Sequence, residues 1–178
     1  MNSPRPNRLG NISVNYVEVM ARTLRRLGLD PAPWLARYRV SRRLLTTPGA
    51  RISIPRFMRM GHAAIQMTGD PALGLDFGHN TRITDLGMAG MAAASAPTLG
   101  TALETLVRYE RLMSTNSRGQ SRIERTGDGG VNAVFYSISP YNRYNCFVVD
   151  SILAGWIAFL RELGGPAPSP RYVTIEYP

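Results

Sequence analysis

The stretch Gln120-Ser-Arg-Ile-Glu-Arg-Thr-Gly-Asp-Gly-Gly-Val-Asn-Ala-Val-Phe-Tyr-Ser-Ile138 decides the fold class. Gln120 to Arg125 alternates weakly, Asp128-Gly129-Gly130 supplies turn residues, and Val131 to Ile138 is rich in β-formers. Glycines at such a point admit the positive φ angles that a tight reversal needs, so the pattern is a hairpin of two antiparallel strands. An apolar helix from about Tyr144 to Leu163 follows, closed by Gly164-Gly165 and a Pro/Ser stretch. Arg171-Tyr-Val-Thr-Ile-Glu-Tyr177 then alternates as a strand, with Tyr172, Thr174 and Glu176 on one face and Val173, Ile175 and Tyr177 on the other. The expected order is β-β-α-β, and the last strand is expected to leave an open edge that invites self-association.

Upstream the period changes from two to about 3.6. Val14, Val17, Met20, Ala21, Leu24 and Leu27 form a helical stripe behind Ser13 as cap, and Gly28 is the stop. Asp30-Pro31 and Ser41 open two short helices, and Ile52-Ser-Ile54 reads as a brief extended piece. Pro55 begins a helix that runs to Gly69, and Asp70-Pro71 begins another that Gly78 ends. Leu86 to Ala94 is small and apolar, either a tightly packed helix or a buried strand by periodicity, with the helix favoured, and Thr98 caps a helix through Leu103, Leu106, Val107 and Met113. A helical half followed by strands gives an α+β class with a small antiparallel sheet and a long buried helix. Residues 1–12 are expected as a flexible tail and 13–178 as one domain.

All 21 basic residues are arginine, which excludes Schiff-base lysines and phosphate-loop lysines. Residues 1–60 hold twelve arginines against Glu18 and Asp30, a net of +10, whereas residues 61–178 hold nine against ten acids, a net of −1. A basic lobe on a neutral body is either a solvated helix face or a contact surface for DNA or an acidic partner. Cys146 is the only cysteine, so no internal disulfide is possible, and the start lacks the apolar run of a signal peptide. A reducing cytoplasm is the expected setting, with no membrane partner.

Catalytic and metal patterns are missing. His62 and His79 have no further ligand at suitable spacing, although Asp76 lies three residues before His79. No Gly-x-Ser-x-Gly elbow exists, Ser95 sits before a turn, and Cys146 beside Phe147-Val-Val reads as inert core. No enzyme, cofactor or metal is expected. Phe135-Tyr-Ser-Ile-Ser-Pro-Tyr-Asn-Arg-Tyr-Asn145, with Asp150 in the following helix, packs aromatics, amides and one arginine into a strand-to-helix turn. Aromatic walls with a few orienting polar groups make a ligand pocket, so Tyr136, Tyr141, Asn142, Arg143, Asn145 and Asp150 are the candidate binding residues. The competing reading is a Tyr/Asn loop pinned to the helix by an Arg143–Asp150 pair. Trp156 is read as core, and Arg108-Tyr109-Glu110-Arg111 as a solvated helix surface first and a pocket edge second.

The run Thr84-Asp-Leu-Gly-Met-Ala-Gly-Met-Ala-Ala-Ala-Ser-Ala-Pro-Thr-Leu-Gly-Thr-Ala-Leu-Glu104, continuing to Arg108-Tyr109, resembles the N-terminal effector domain of AraC-type transcriptional regulators. The likeness is to the arabinose-binding-like group that includes ornithine-utilisation regulators. Gly69-Asp-Pro-Ala-Leu-Gly-Leu75 with Gly78, Arg51-Ile-Ser-Ile-Pro55 and Gly28-Leu-Asp30 resemble the family in the same order. The resemblance implies a domain that binds a small-molecule effector, with an amino acid or polyamine suggested by Asp150; a homodimer is expected from the open edge of the last strand. The resemblance also implies transcription control through a C-terminal pair of helix-turn-helix motifs, which this sequence does not contain, so the domain is expected to be truncated and DNA to be a partner only through the missing part. The rival functions are a protein–protein interaction module using the basic helical lobe and a direct nucleic-acid binder.

Overall fold

Ile12 sits at the centre of a small sheet although its strand is only four residues long. The computed structural model describes residues 9–176. Strand β1 (Gly10–Ser13) lies between β2 (Arg51–Ser53) and β3 (Ser114–Asn116), antiparallel to both. Ile12 faces Ile52 on one side and Ser114 on the other, and both isoleucines are buried. Arg51 secures this sheet, its guanidinium donating to Asn11 Oδ1 at 2.7 Å and to the Arg111 carbonyl at 3.0 Å. The segment read as the end of a tail therefore forms the middle strand. Its partners lie about forty and a hundred residues away, beyond the reach of local patterning.

Helix α1 (Asn15–Arg26) follows at once and buries Val17, Val19, Met20 and Leu24. Ser13 stays in the strand, so the helix begins one residue later than expected; its hydroxyl still accepts a bond from Asn15 N at 3.2 Å. Gly28, at φ +76°, turns the chain away from α1 in a conformation that costs a residue with a Cβ. Helices α2 (Ala32–Arg37) and α3 (Arg42–Thr46) are opened by Asp30, which accepts from Ala32 N at 2.9 Å, and by Ser41, which accepts from Leu44 N at 3.2 Å. Helix α4 (Ile54–Thr68) is capped by Ser53 and ends on Gly69 in the left-handed region.

Helix α5 (Leu73–Asn80) runs past Gly78, which was expected to stop it. The glycine is there for packing. A Cβ placed at Gly78 would stand 2.6 Å from Ala154 Cβ and 2.7 Å from the Ser151 carbonyl on the long helix α8 (Cys146–Gly164). A 3₁₀ turn, Ile83–Leu86, leads into α6 (Gly87–Ala94), which confirms the helical reading of the small-residue run. Thr98 caps α7 (Leu99–Arg108), and the chain then tightens into a 3₁₀ turn over Glu110–Leu112 instead of continuing helical to Met113.

The hairpin is formed as the sequence indicates, β4 (Arg122–Arg125) pairing antiparallel with β5 (Val131–Val134). It is a separate two-stranded sheet. The α+β class holds, but the β-β-α-β order does not: residues 171–176 carry no ladder partner among the described residues and are mostly exposed, while Tyr177 lies outside them. Alternation makes a segment fit for a sheet; only a neighbour with free backbone groups makes it a strand.

One aromatic cluster joins the helices. Phe57 of α4, Phe77 of α5, Phe147 of α8 and Tyr16 of α1 have ring centroids 5.2–6.3 Å apart, mostly tilted or edge-on. Phe147 is fully buried because Gly61 of α4 leaves room for it; a Cβ there would meet the ring at 2.4 Å. Arg22 of α1 forms an ion pair with Asp85 and donates to the Asn80 carbonyl at 2.9 Å, tying α1 to the turn ahead of α6. Among the described residues, no helix is long and apolar enough to cross a membrane.

Candidate functional site

Between α8 and the three-stranded sheet the packing leaves a cavity of about 80 Å³. One water occupies roughly 10–15 Å³ by this measure, so the space accommodates several waters or a small organic molecule. Phe57, Phe77, Leu106, Val148, Ile152 and Trp156 make most of the wall apolar. Tyr16, Thr81, Glu110, Ser114, Asn116, Ser121, Ser137 and Ser151 supply the polar groups. These residues come from every part of the fold, with Ile12 at one end of the sequence and Trp156 at the other.

Several polar groups are already satisfied internally. The Asn116 amide donates to the Tyr136 carbonyl, and its oxygen accepts from Arg118 N at 2.9 Å. The Ser137 hydroxyl accepts from the Asn145 amide at 2.9 Å, and the Ser151 hydroxyl donates to the Val148 carbonyl at 2.9 Å. Tyr16, Glu110 and Ser121 are different. Tyr16 is 8% exposed and its hydroxyl makes no hydrogen bond among the described residues. Burial and the negative charges of Glu110 and Asp85 hold its pKa far above the ordinary phenol value, so it is a neutral donor. The Glu110 carboxylate accepts from Ser121 N at 2.8 Å. Burial raises its pKa, an effect the Ser121 backbone and side chain oppose. The buried Ser121 hydroxyl stands close enough to that carboxylate to favour its charge, yet makes no hydrogen bond of normal geometry.

The six residues singled out from the sequence form a neighbouring structure, and none of them is on the cavity wall. Asn145 is fully buried at the start of α8; its amide reaches Ser137 Oγ and the Ser139 and Pro140 carbonyls at 2.9–3.0 Å, and its oxygen accepts from Asn142 N at 2.6 Å. Asn142 donates to the Pro140 carbonyl at 2.7 Å and accepts from Tyr144 N at 2.9 Å. Tyr141 donates to the Asp150 carboxylate, 3.1 Å from one oxygen and 3.3 Å from the other. Burial raises the Asp150 pKa and the Tyr141 bond counters it. Arg143 turns to Tyr144 instead of Asp150, donating to its hydroxyl at 2.8 Å and lying 4.7 Å over its ring. Tyr136 lies apart from this network, its ring 5.0 Å beneath the Arg122 guanidinium. The structure thus joins Tyr141, Asn142, Asn145 and Asp150 into one turn, which delivers Ser137 and Ile138 to the cavity.

Glu110 is the charged group on the cavity wall; the sequence offered it, within Arg108-Tyr109-Glu110-Arg111, as a solvated helix surface first and a pocket edge only second. The histidines serve locally. His62 Nδ1 bonds the Arg143 carbonyl at 3.0 Å, with its ring 4.9 Å from that of Tyr144, and His79 Nδ1 bonds the Leu75 carbonyl at 3.0 Å. Cys146 is half-buried at the start of α8, with its thiol pKa pushed up by burial.

The chain is thus an α+β domain with a mostly apolar hollow that carries a few polar groups on its wall. The family described as the arabinose-binding domain of AraC transcription regulators, N-terminal, matches residues 28–178, and the chain belongs to it. The chain is also 28% identical over 167 residues to the ornithine utilization regulator of Pseudomonas aeruginosa. That alignment covers 94% of this chain and 48% of the regulator, so the chain spans about half the length of that curated relative.

Proposed function

We propose that the chain is the effector-sensing part of an AraC-type transcriptional regulator, and that the effector binds in the cavity between α8 and the β1 sheet. The observation that carries this reading is a mostly apolar hollow on whose wall Tyr16, Glu110 and Ser121 keep unused hydrogen-bonding capacity. Buried polar groups are normally satisfied, so groups gathered unsatisfied around a space favour a bound molecule. The cavity groups a wall-lining acid and phenol without an activated nucleophile beside a base, which favours binding over catalysis. The Tyr141–Asn145 turn takes the role of support: it fixes the start of α8 and the two wall residues ahead of it.

In this reading occupancy controls transcription in the cytoplasm through a helix-turn-helix region on the rest of the regulator, and the domain works as a homodimer. Strands β2 and β3 each pair on one side only among the described residues, which leaves edges available for a second copy. The test is a thermal-shift screen of the chain against amino acids, polyamines, amines and aliphatic acids. A ligand at a hundred times its Kd stabilises the folded state by about 2.7 kcal/mol, a rise of roughly 5–10 °C for a domain of this size. A screen in which nothing moves the midpoint counts against an effector site.

One observation favours a second reading. Arg25, Arg26, Arg37, Arg39, Arg42 and Arg43 are all exposed around the end of α1 and along α2 and α3. Such a surface suits an acidic partner or nucleic-acid phosphates. Binding to DNA by this chain that falls steeply with salt would support it, whereas effector binding in an apolar hollow should be nearly salt-independent.

A further inference from the structure

The charge inventory of the cavity is one-sided. Its wall carries one carboxylate, Glu110, and no arginine or histidine, and the chain has no lysine. Glu110 has no ion-pair partner among the described residues. Its sequence neighbours Arg108 and Arg111 are exposed, and no cation contributes to holding its charge. An ionised carboxylate has about four acceptor positions; the bond from Ser121 N uses one. The Ser121 hydroxyl, with the residue 7% exposed, is a second unused group on the same stretch of wall, and the Tyr16 hydroxyl a third. Of the remaining wall, the Ser114 hydroxyl is a small neutral group without charge to offer, and the rest is hydrocarbon, aromatic or already bonded.

We infer that the effector is an amphipathic monocation, a primary amine or ammonium on a compact apolar body, whose head meets Glu110 and whose body fills the hollow against Phe57, Val148 and Trp156. This rests on the cavity being the effector site. An ammonium brings a full compensating charge and three donors, which suits a carboxylate that is short of both. A neutral alcohol gives a donor and leaves the charge uncompensated in a largely apolar enclosure. A carboxylate ligand is repelled. An amino acid brings a carboxylate for which the wall has no cation, and a polyamine brings a second ammonium for which it has no second acid. The structure thus narrows the sequence-based expectation of an amino acid or polyamine to a monoamine.

The test is calorimetric titration of the chain at neutral pH with n-hexylamine, n-hexanol, n-hexanoate and cadaverine. The expected result is that n-hexylamine binds at least about tenfold tighter than n-hexanol, with n-hexanoate and cadaverine weaker than the monoamine. Glu110→Gln, with folding checked by circular dichroism, is expected to remove that preference while leaving n-hexanol within about twofold. If Glu110→Gln does not fold, the ranking of amine over alcohol in the unaltered chain decides by itself. Equal or tighter binding of n-hexanol, or tightest binding of n-hexanoate or cadaverine, overturns the monocation assignment and leaves the cavity reading intact. If none of the four binds, both fall.

Discussion

Helix α8 meets the rest of the molecule in two opposite ways. Towards α5 it has no spare room: Gly74 and Gly78 let the two backbones approach until a Cβ at Gly74 would lie 2.8 Å from the Phe147 carbonyl. Towards the three-stranded sheet the same helix presents Val148, Ile152 and Trp156 to open space. Phe57, Phe77 and Tyr16 belong to both regions, wall of the cavity on one side and partners of the aromatic cluster on the other. Close-packed seams transmit strain and hollows absorb it. In the proposed sensing role, a helix packed tightly against α5 and bordering a hollow on another face would convert occupancy of the cavity into displacement of α5 and α8 together.

The contrast can be broken most severely at Phe147, the ring that fills the seam. Phe147→Ala is expected to cost about 4 kcal/mol, read as a lowered midpoint in urea denaturation. A cost below about 1 kcal/mol would mean that the seam is not tightly packed. Gly78→Ala adds a single methyl where there is no space, and about 2 kcal/mol is expected from overpacking. A neutral or stabilising result in the same denaturation experiment would show that α5 and α8 separate easily.

Enlargement on the open side should behave differently. Ile152→Trp puts a larger side chain into the cavity and is expected to change stability by only about 1 kcal/mol while abolishing effector-induced thermal shifts. Retained shifts would move the effector site elsewhere. The smallest expected effect is at Asp150, whose carboxylate sits beside the seam and accepts from Tyr141. Its pKa is raised in the folded protein by burial, so the native state holds the proton more readily than the unfolded chain. That stability contribution is present below the unfolded value and is lost as pH rises through the folded value. Asp150→Asn should therefore flatten the fall in stability above the ordinary carboxylate range. Because the group is partly exposed, the neutral-pH change should stay under about 1 kcal/mol. Glu110, raised in the same direction, leaves part of the slope in place. Urea midpoints followed across pH check this, and an unchanged slope would refute the assignment to Asp150.

Local signals read well. Ser41 and Thr98 accept from backbone amides three residues on, Asp30 and Asp70 from amides two residues on, and Gly28 and Gly69 carry the positive φ of a chain leaving a helix. The hairpin and α8 were legible for the same reason, since turn chemistry and periodicity act within a few residues. Glycine was less transparent, because Gly78 inside α5 serves contact with another helix and looks in sequence like a stop.

What the sequence by itself determined is therefore the set of helices, the hairpin, the α+β class and, through the ordered run from Thr84 to Tyr109, the family. Tertiary structure alone decided that Gly10–Ser13 is a central strand, that residues 171–176 have no ladder among the described residues, and where the cavity lies. The loop from Tyr136 to Asn145 was rich enough in aromatics and amides to suggest a pocket, yet its polar groups are mostly spent on one another and on Asp150. Glu110 gave little local signal and stands on the cavity wall. The physical reason is the same in each case: caps and turns are satisfied by neighbours in the chain, whereas a ladder needs a distant strand and a cavity is the space that distant side chains fail to fill.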